Sequence, residues 1–86
     1  MNNHCVTVYA LSSCLHCRKA MEYLQGQCVD YNCVYVDKLQ GEERSTAIAT
    51  IKRHNPRLSF PTLVINEGEC VVIGFQEDEL KEALKL

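Results

Sequence analysis

The chain has 86 residues, with nine basic and eleven acidic side chains and a formal net charge of −2. A chain of this length forms one domain, residues 1-86, and can bury about 64% of its unfolded surface; with 47% hydrophobic and 23% charged residues it reads as folded rather than as a disordered tail. With no basic surplus, no Trp and only 7% aromatics, it gives no reason to expect a nucleic-acid or anionic-membrane partner.

In chain order, Cys5 to Ala10 is β-branched and apolar and reads as a buried strand. Ser12 and Ser13 break it. From Cys14 to Gln25 the pattern turns helical, with Leu15, Ala20, Met21 and Leu24 able to share an apolar face and Gly26 as a stop. Cys33 to Val36 is a second short strand. Gln40-Gly41-Glu42-Glu43 opens a second helix whose apolar side is Ala47, Ile48 and Ile51. His54-Asn55-Pro56 ends it, because a residue before proline is pushed out of the helical region. Leu63 to Ile65 is a third strand, Asn66 to Glu69 a turn, and Cys70 to Ile73 a fourth strand close enough to be the hairpin partner of the third. Gly74 breaks that strand. Glu77, Asp78 and Glu79 open a last helix, with Leu80, Ala83 and Leu84 on its buried side. The order is β-α-β-α-β-β-α, with the first two strands parallel through a helical crossover.

The longest apolar run, Cys70 to Ile73, is far below the roughly 20 residues of a membrane span, and the N-terminus carries no cationic leader. The expected compartment is cytoplasmic, where thiols stay reduced. Six cysteines must then be read as thiols and not as a disulfide scaffold. Cys5, Cys33 and Cys70 fall in strands and read as small buried hydrophobes. Cys28 lies in a loop and reads as exposed, with a Cys28–Cys33 bridge as the alternative. His4 and His54 read as solvated.

Cys14-Leu15-His16-Cys17 carries the chemistry. Two intervening residues on a helical turn bring the two sulfurs within disulfide range. Cys14 falls at a helix N-terminus, where free N–H groups and the helix dipole favour a thiolate; Cys17 sits one turn further in, placed to attack a mixed disulfide. His16 can add a positive or hydrogen-bonding group beside that thiolate. Arg18 and Lys19 can steer anionic partners. Pro61 heads the third strand, where its missing N–H does no harm. A cis Phe60–Pro61 bond fits that tight approach, and it leaves the backbone of Phe60 free to pair with an extended substrate.

On Val8-Tyr9, Cys14-Leu15-His16-Cys17, Phe60-Pro61-Thr62 and Gly74-Phe75, the chain resembles the glutaredoxins of the thioredoxin superfamily from Cys5 to Leu84. The resemblance implies an α/β thioredoxin fold, a four-stranded mixed sheet in the order 2-1-3-4, with the first and third helices on one face and the second on the other. It implies thiol-disulfide exchange, with Cys14 attacking, Cys17 resolving, Pro61 as the family's cis-proline, and Phe60, Pro61, Gly74 and Phe75 contacting substrate.

Four departures bear on partners. His16 and Leu15 replace the family's usual Tyr and Pro, Leu11 stands where a lysine is common, Ser59-Phe60 replaces Thr-Val, and Gly74-Phe75 keeps one glycine of a Gly-Gly pair. The usual anchors of glutathione are thereby eroded. The expectation is a monomer with no resident cofactor and no metal. Disulfide-containing proteins are its substrates, and a protein disulfide reductase is a better reductant than glutathione. The alternative reading is a metal or iron–sulfur module using Cys14 and Cys17, for which no second CxxC supplies further ligands.

Overall fold

A computed structural model describes residues 5–85. The elements follow as β1 (Val6–Ala10), α1 (Leu15–Gly26), β2 (Asn32–Tyr35), α2 (Gly41–His54), β3 (Thr62–Ile65), β4 (Cys70–Ile73) and α3 (Glu77–Leu84), with single 3-10 turns at Val36–Lys38 and Asn66–Gly68. The sheet order is β2-β1-β3-β4. β1 runs parallel to β2, Val8 opposite Cys33 and Ala10 opposite Tyr35. β3 lies antiparallel to both β1 and β4, so Thr62 faces Tyr9 on one side and Ile73 on the other. This is the thioredoxin-like architecture that the resemblance implies, with the element order, the parallel first pair and the hairpin as the residues predict.

The period-2 pattern of β1 decides the layering. Val6, Val8 and Ala10 point into one cluster with Leu63, Ile65 and Val72 from the sheet, Cys17, Ala20 and Leu24 from α1, and Leu80 and Leu84 from α3. Between them, Thr7 and Tyr9 point to the other face, where Tyr9 and Val34 line a groove with Leu39, Ala47 and Thr50 under α2. Coverage is unequal. α1 and α3 bury a whole side chain at nearly every inward turn, whereas Ile51 is the one fully buried residue of α2. No described helix is long and apolar enough to cross a membrane.

Several sequence expectations are corrected. Leu15 does not join the apolar face of α1; it is the first residue of the helix and is 60% exposed. Cys5 precedes β1 and is exposed. Cys33 shares Val8's face of the sheet, yet β2 is an edge strand and leaves its sulfur exposed; Cys70, on the opposite edge strand, is half-buried. All six cysteines are free thiols, so Cys28 and Cys33 form no bridge, and Cys28 is exposed as expected. Val36 leaves the strand for the 3-10 turn and is buried there. His54 is half-buried rather than solvated, its ring lying 2.9 Å from where a Cβ on Gly68 would sit, and Gly68 holds φ +112°, a backbone shape that favours glycine. His4 lies outside the described residues.

One buried polar cluster holds the long connection from α2 to β3. Asn55, 1% exposed, hangs from the last turn of α2 through its N–H to the Ile51 carbonyl at 2.7 Å. Its side-chain amide donates to the Ser59 carbonyl at 3.2 Å, Ser59 Oγ at 3.0 Å and Thr62 Oγ1 at 3.1 Å. Thr62 Oγ1 in turn donates to the Ser59 carbonyl at 2.8 Å.

Candidate functional site

The sheet register brings three segments to one end. β1 finishes there at Ala10 and feeds the turn that carries Cys14. β3 starts there, so Phe60-Pro61 lies beside that turn's strand, and β4 finishes there, so Gly74-Phe75 lies on the far side. The bond between Phe60 and Pro61 is cis. The Pro61 carbonyl accepts from Gly74 N–H at 2.8 Å, which locks the second and third segments together. Among the described residues, no backbone group takes up the N–H or the carbonyl of Phe60. Phe60 and Phe75 are both half-buried against the core, and Phe75 meets Tyr23 of α1 with ring centroids 6.1 Å apart.

Cys14 is the N-cap of α1. Its backbone is extended, with φ −95° and ψ 119°, and its sulfur accepts the Cys17 N–H at 3.3 Å. A sulfur therefore stands where a Ser or Asp oxygen would normally satisfy one of the helix's unpaired donors. The turn before it is fixed by Cys14 N–H to the Leu11 carbonyl at 3.2 Å. It is also fixed from outside, because Asp37 accepts both the N–H and the hydroxyl of Ser12, at 3.1 and 2.5 Å. The Ser12 hydroxyl holds the Asp37 carboxyl below its usual 3.8.

The two motif sulfurs differ in access. Cys14 is half-buried; Cys17 is fully buried in the core cluster. Burial, with the Cys14 thiol second, pushes the Cys17 thiol from 9.0 up to about 12. Cys17 is a neutral thiol near pH 7, one helical turn behind a sulfur that a partner can reach. His16 and Leu15 project outward between them and are exposed. Leu15, Ser13, Cys14 and Arg18 line an open hollow of about 310 Å³ beside the Cys14 sulfur.

All the predicted site residues thus fall at one end of the sheet, with His16 on the rim. Sequence reasoning missed two residues that shape it. Asp37 carries no motif and is recognisable only once β2 is placed beside β1. Asn55 was read as a helix stop, although an Asn-Pro pair after a helix is also a known signal for a side chain that bonds its own turn. Among the described residues, no group of three or more His, Cys, Asp or Glu side chains comes together to hold a metal ion.

Comparison with known proteins agrees with this geometry. No curated protein sequence matches the chain. Among solved structures, the glutaredoxin of Methanosarcina mazei Go1 superposes with a TM-score of 0.90 at 40% identity, covering 98% of this chain and 87% of that one. Methanoredoxin of Methanosarcina acetivorans gives 0.89 at 40% identity, covering 95% and 85%. The glutaredoxin grx-1 of Archaeoglobus fulgidus gives 0.82 at 36%, covering 90% and 82%. The family model for glutaredoxin matches residues 6–71. The chain belongs to the glutaredoxin family and is a thiol redox protein.

Proposed function

We propose that the protein reduces protein disulfides by dithiol exchange. The observation that carries this reading is the asymmetry of the two sulfurs, with Cys14 reachable at the N-terminus of α1 and Cys17 buried and neutral one turn behind it. Cys14 as thiolate attacks one sulfur of the substrate disulfide; an S–S bond forms to Cys14 and the other substrate sulfur leaves as a thiolate. Cys17 then gives up its proton to solvent or to the departing sulfur and attacks Cys14. The Cys14–Cys17 bond forms, the second substrate sulfur leaves, and two electrons have passed to the substrate. The raised, buried Cys17 thiol leaves the first attack to Cys14. Phe60 offers an unpaired backbone edge to the peptide around the substrate disulfide, and Phe75 borders that edge.

A protein reductase regenerates the dithiol more readily than glutathione. The usual glutathione anchors are not all present: Ser59-Phe60 precedes Pro61, and Gly74-Phe75 keeps one glycine. Arg18 beside Cys14 is the one cation lining the Cys14 hollow. The exchange is taken to run in the cytoplasm, with a monomer as the working unit and no resident cofactor.

The test is a trapping experiment. Cys17→Ser, mixed with a disulfide-bonded peptide, should accumulate a covalent complex through Cys14, found by peptide mass mapping, while Cys14→Ser forms none. A complex formed through any other cysteine refutes the reading.

A further inference from the structure

We infer that Asn55 positions the Phe60–Pro61 segment for a bound peptide, acting through Ser59 and Thr62. The inference rests on the exchange reading above and adds a residue to it that touches neither sulfur.

The connection between His54 and Thr62 lies outside helix and strand, so beyond the Asn55 N–H bond to Ile51 its shape depends on local partners. Nearly all of them converge on one residue. The Asn55 carbonyl accepts Leu58 N–H at 2.9 Å, and Oδ1 accepts Arg57 N–H at 3.3 Å. Its two amide hydrogens are spread over three oxygens of Ser59 and Thr62, which flank Phe60-Pro61 on either side. Leu58 stands at φ +53°, a region a β-carbon disfavours, and its bond to Asn55 holds it there. Among the described residues, Phe60 is the one position of this connection with both backbone polar groups left over, and its two neighbouring anchors are both gripped by the same amide.

A buried amide is a costly way to fill this space, since an apolar side chain would bring no polar group to satisfy. It provides direction instead. Ser59 and Thr62 are held at fixed separation from the end of α2, so the N–H and carbonyl of Phe60 are kept in one orientation. A peptide that pairs with them meets an edge already ordered, and does not have to order it on binding. Loss of the amide should therefore weaken peptide capture and leave the sulfur chemistry alone.

The experiment follows reduction of a disulfide-bonded peptide of about ten residues by the full chain under steady-state conditions, alongside the rate of Cys14 alkylation. Asn55→Asp keeps the size and the acceptor for Arg57 but offers no donor to Ser59 or Thr62; Thr62→Val removes the shared hydroxyl with little change of shape, and Thr62→Ser retains it. Asn55→Asp and Thr62→Val should raise KM about tenfold with kcat and the Cys14 alkylation rate kept, and Thr62→Ser should restore the wild-type KM. The Thr62 pair decides the matter should Asn55→Asp fail to fold. A KM within about twofold of wild type in Thr62→Val, or a fall in kcat at unchanged KM, overturns the inference. Wild-type protein that does not reduce the peptide at all would overturn the exchange reading, and this inference with it.

Discussion

α1 has a cysteine near each end, and the two lie in opposite surroundings. Cys14 caps the N-terminus, where unpaired N–H groups point outward and a negative charge is favoured; its sulfur already takes one of them from Cys17. Cys28 follows the C-terminus, its own N–H bonded to the Gln25 carbonyl at 3.1 Å, where the helix presents oxygen lone pairs and a negative charge is disfavoured. Both Cys28 and Cys5 line hollows that share Asp30, a carboxylate that opposes an anionic sulfur. Accessibility does not separate these thiols, since Cys28 and Cys5 are more exposed than Cys14. What separates them is which end of a helix the sulfur faces, and whether a second thiol waits behind it.

Three measurements on variants can break or sharpen that comparison. The largest effect is on turnover. Cys14→Ser should take peptide-disulfide reduction to the uncatalysed background, whereas replacing Cys5, Cys28 and Cys33 together by Ser should leave it near wild type, because none of those sulfurs lies at a helix N-terminus. An assay of initial rates checks both, and loss of activity in the triple variant would mean that the exposed thiols take part.

The next effect is on stability at high pH. The Cys17 thiol is raised to about 12 in the folded chain from 9.0, so an unfolded chain ionises it first. The contribution is therefore fully present below pH 9 and is lost as pH climbs from 9 towards 12. Denaturant midpoints at about pH 8 and about pH 10.5 should fall more steeply for wild type than for Cys17→Ala, and parallel curves would place Cys17 nearer to water than the structure does.

The smallest effect is at the rim. His16 is exposed, so solvent screens whatever its imidazole adds to the thiolate. His16→Leu and His16→Tyr should shift the dithiol potential to more reducing values by less than about 30 mV, the equivalent of about 1.4 kcal/mol. A redox titration reads it, and a shift in the oxidising direction for both variants removes His16 from the account.

The element order, the CxxC at a strand-to-helix junction and the cis-prolyl segment were legible because each is written in local pattern: β-branched alternation, a helix start, a proline before an apolar run. Burial at the sheet edges was not. Cys33 has the same neighbours in sequence whether its strand is central or at the edge, and only the pairing of β2 with β1 alone decides that its sulfur is exposed. Leu15 matched the helical apolar spacing, but it lies in the first turn, beyond the reach of α3 and the sheet. Asn55 and Asp37 were illegible for a different reason. Their partners, Thr62 and Ser12, lie 7 and 25 residues away, and a polar contact of that separation leaves no periodic trace.

The central claim is that helix placement, rather than exposure or number, singles out one of six thiols. Brief treatment of the reduced wild-type protein with a limiting alkylating agent near neutral pH, followed by peptide mass mapping, tests it most directly. The account predicts that Cys14 is modified well ahead of Cys5, Cys28, Cys33 and Cys70, with Cys17 last. Modification of exposed Cys5, Cys28 or Cys33 as fast as Cys14 would contradict it.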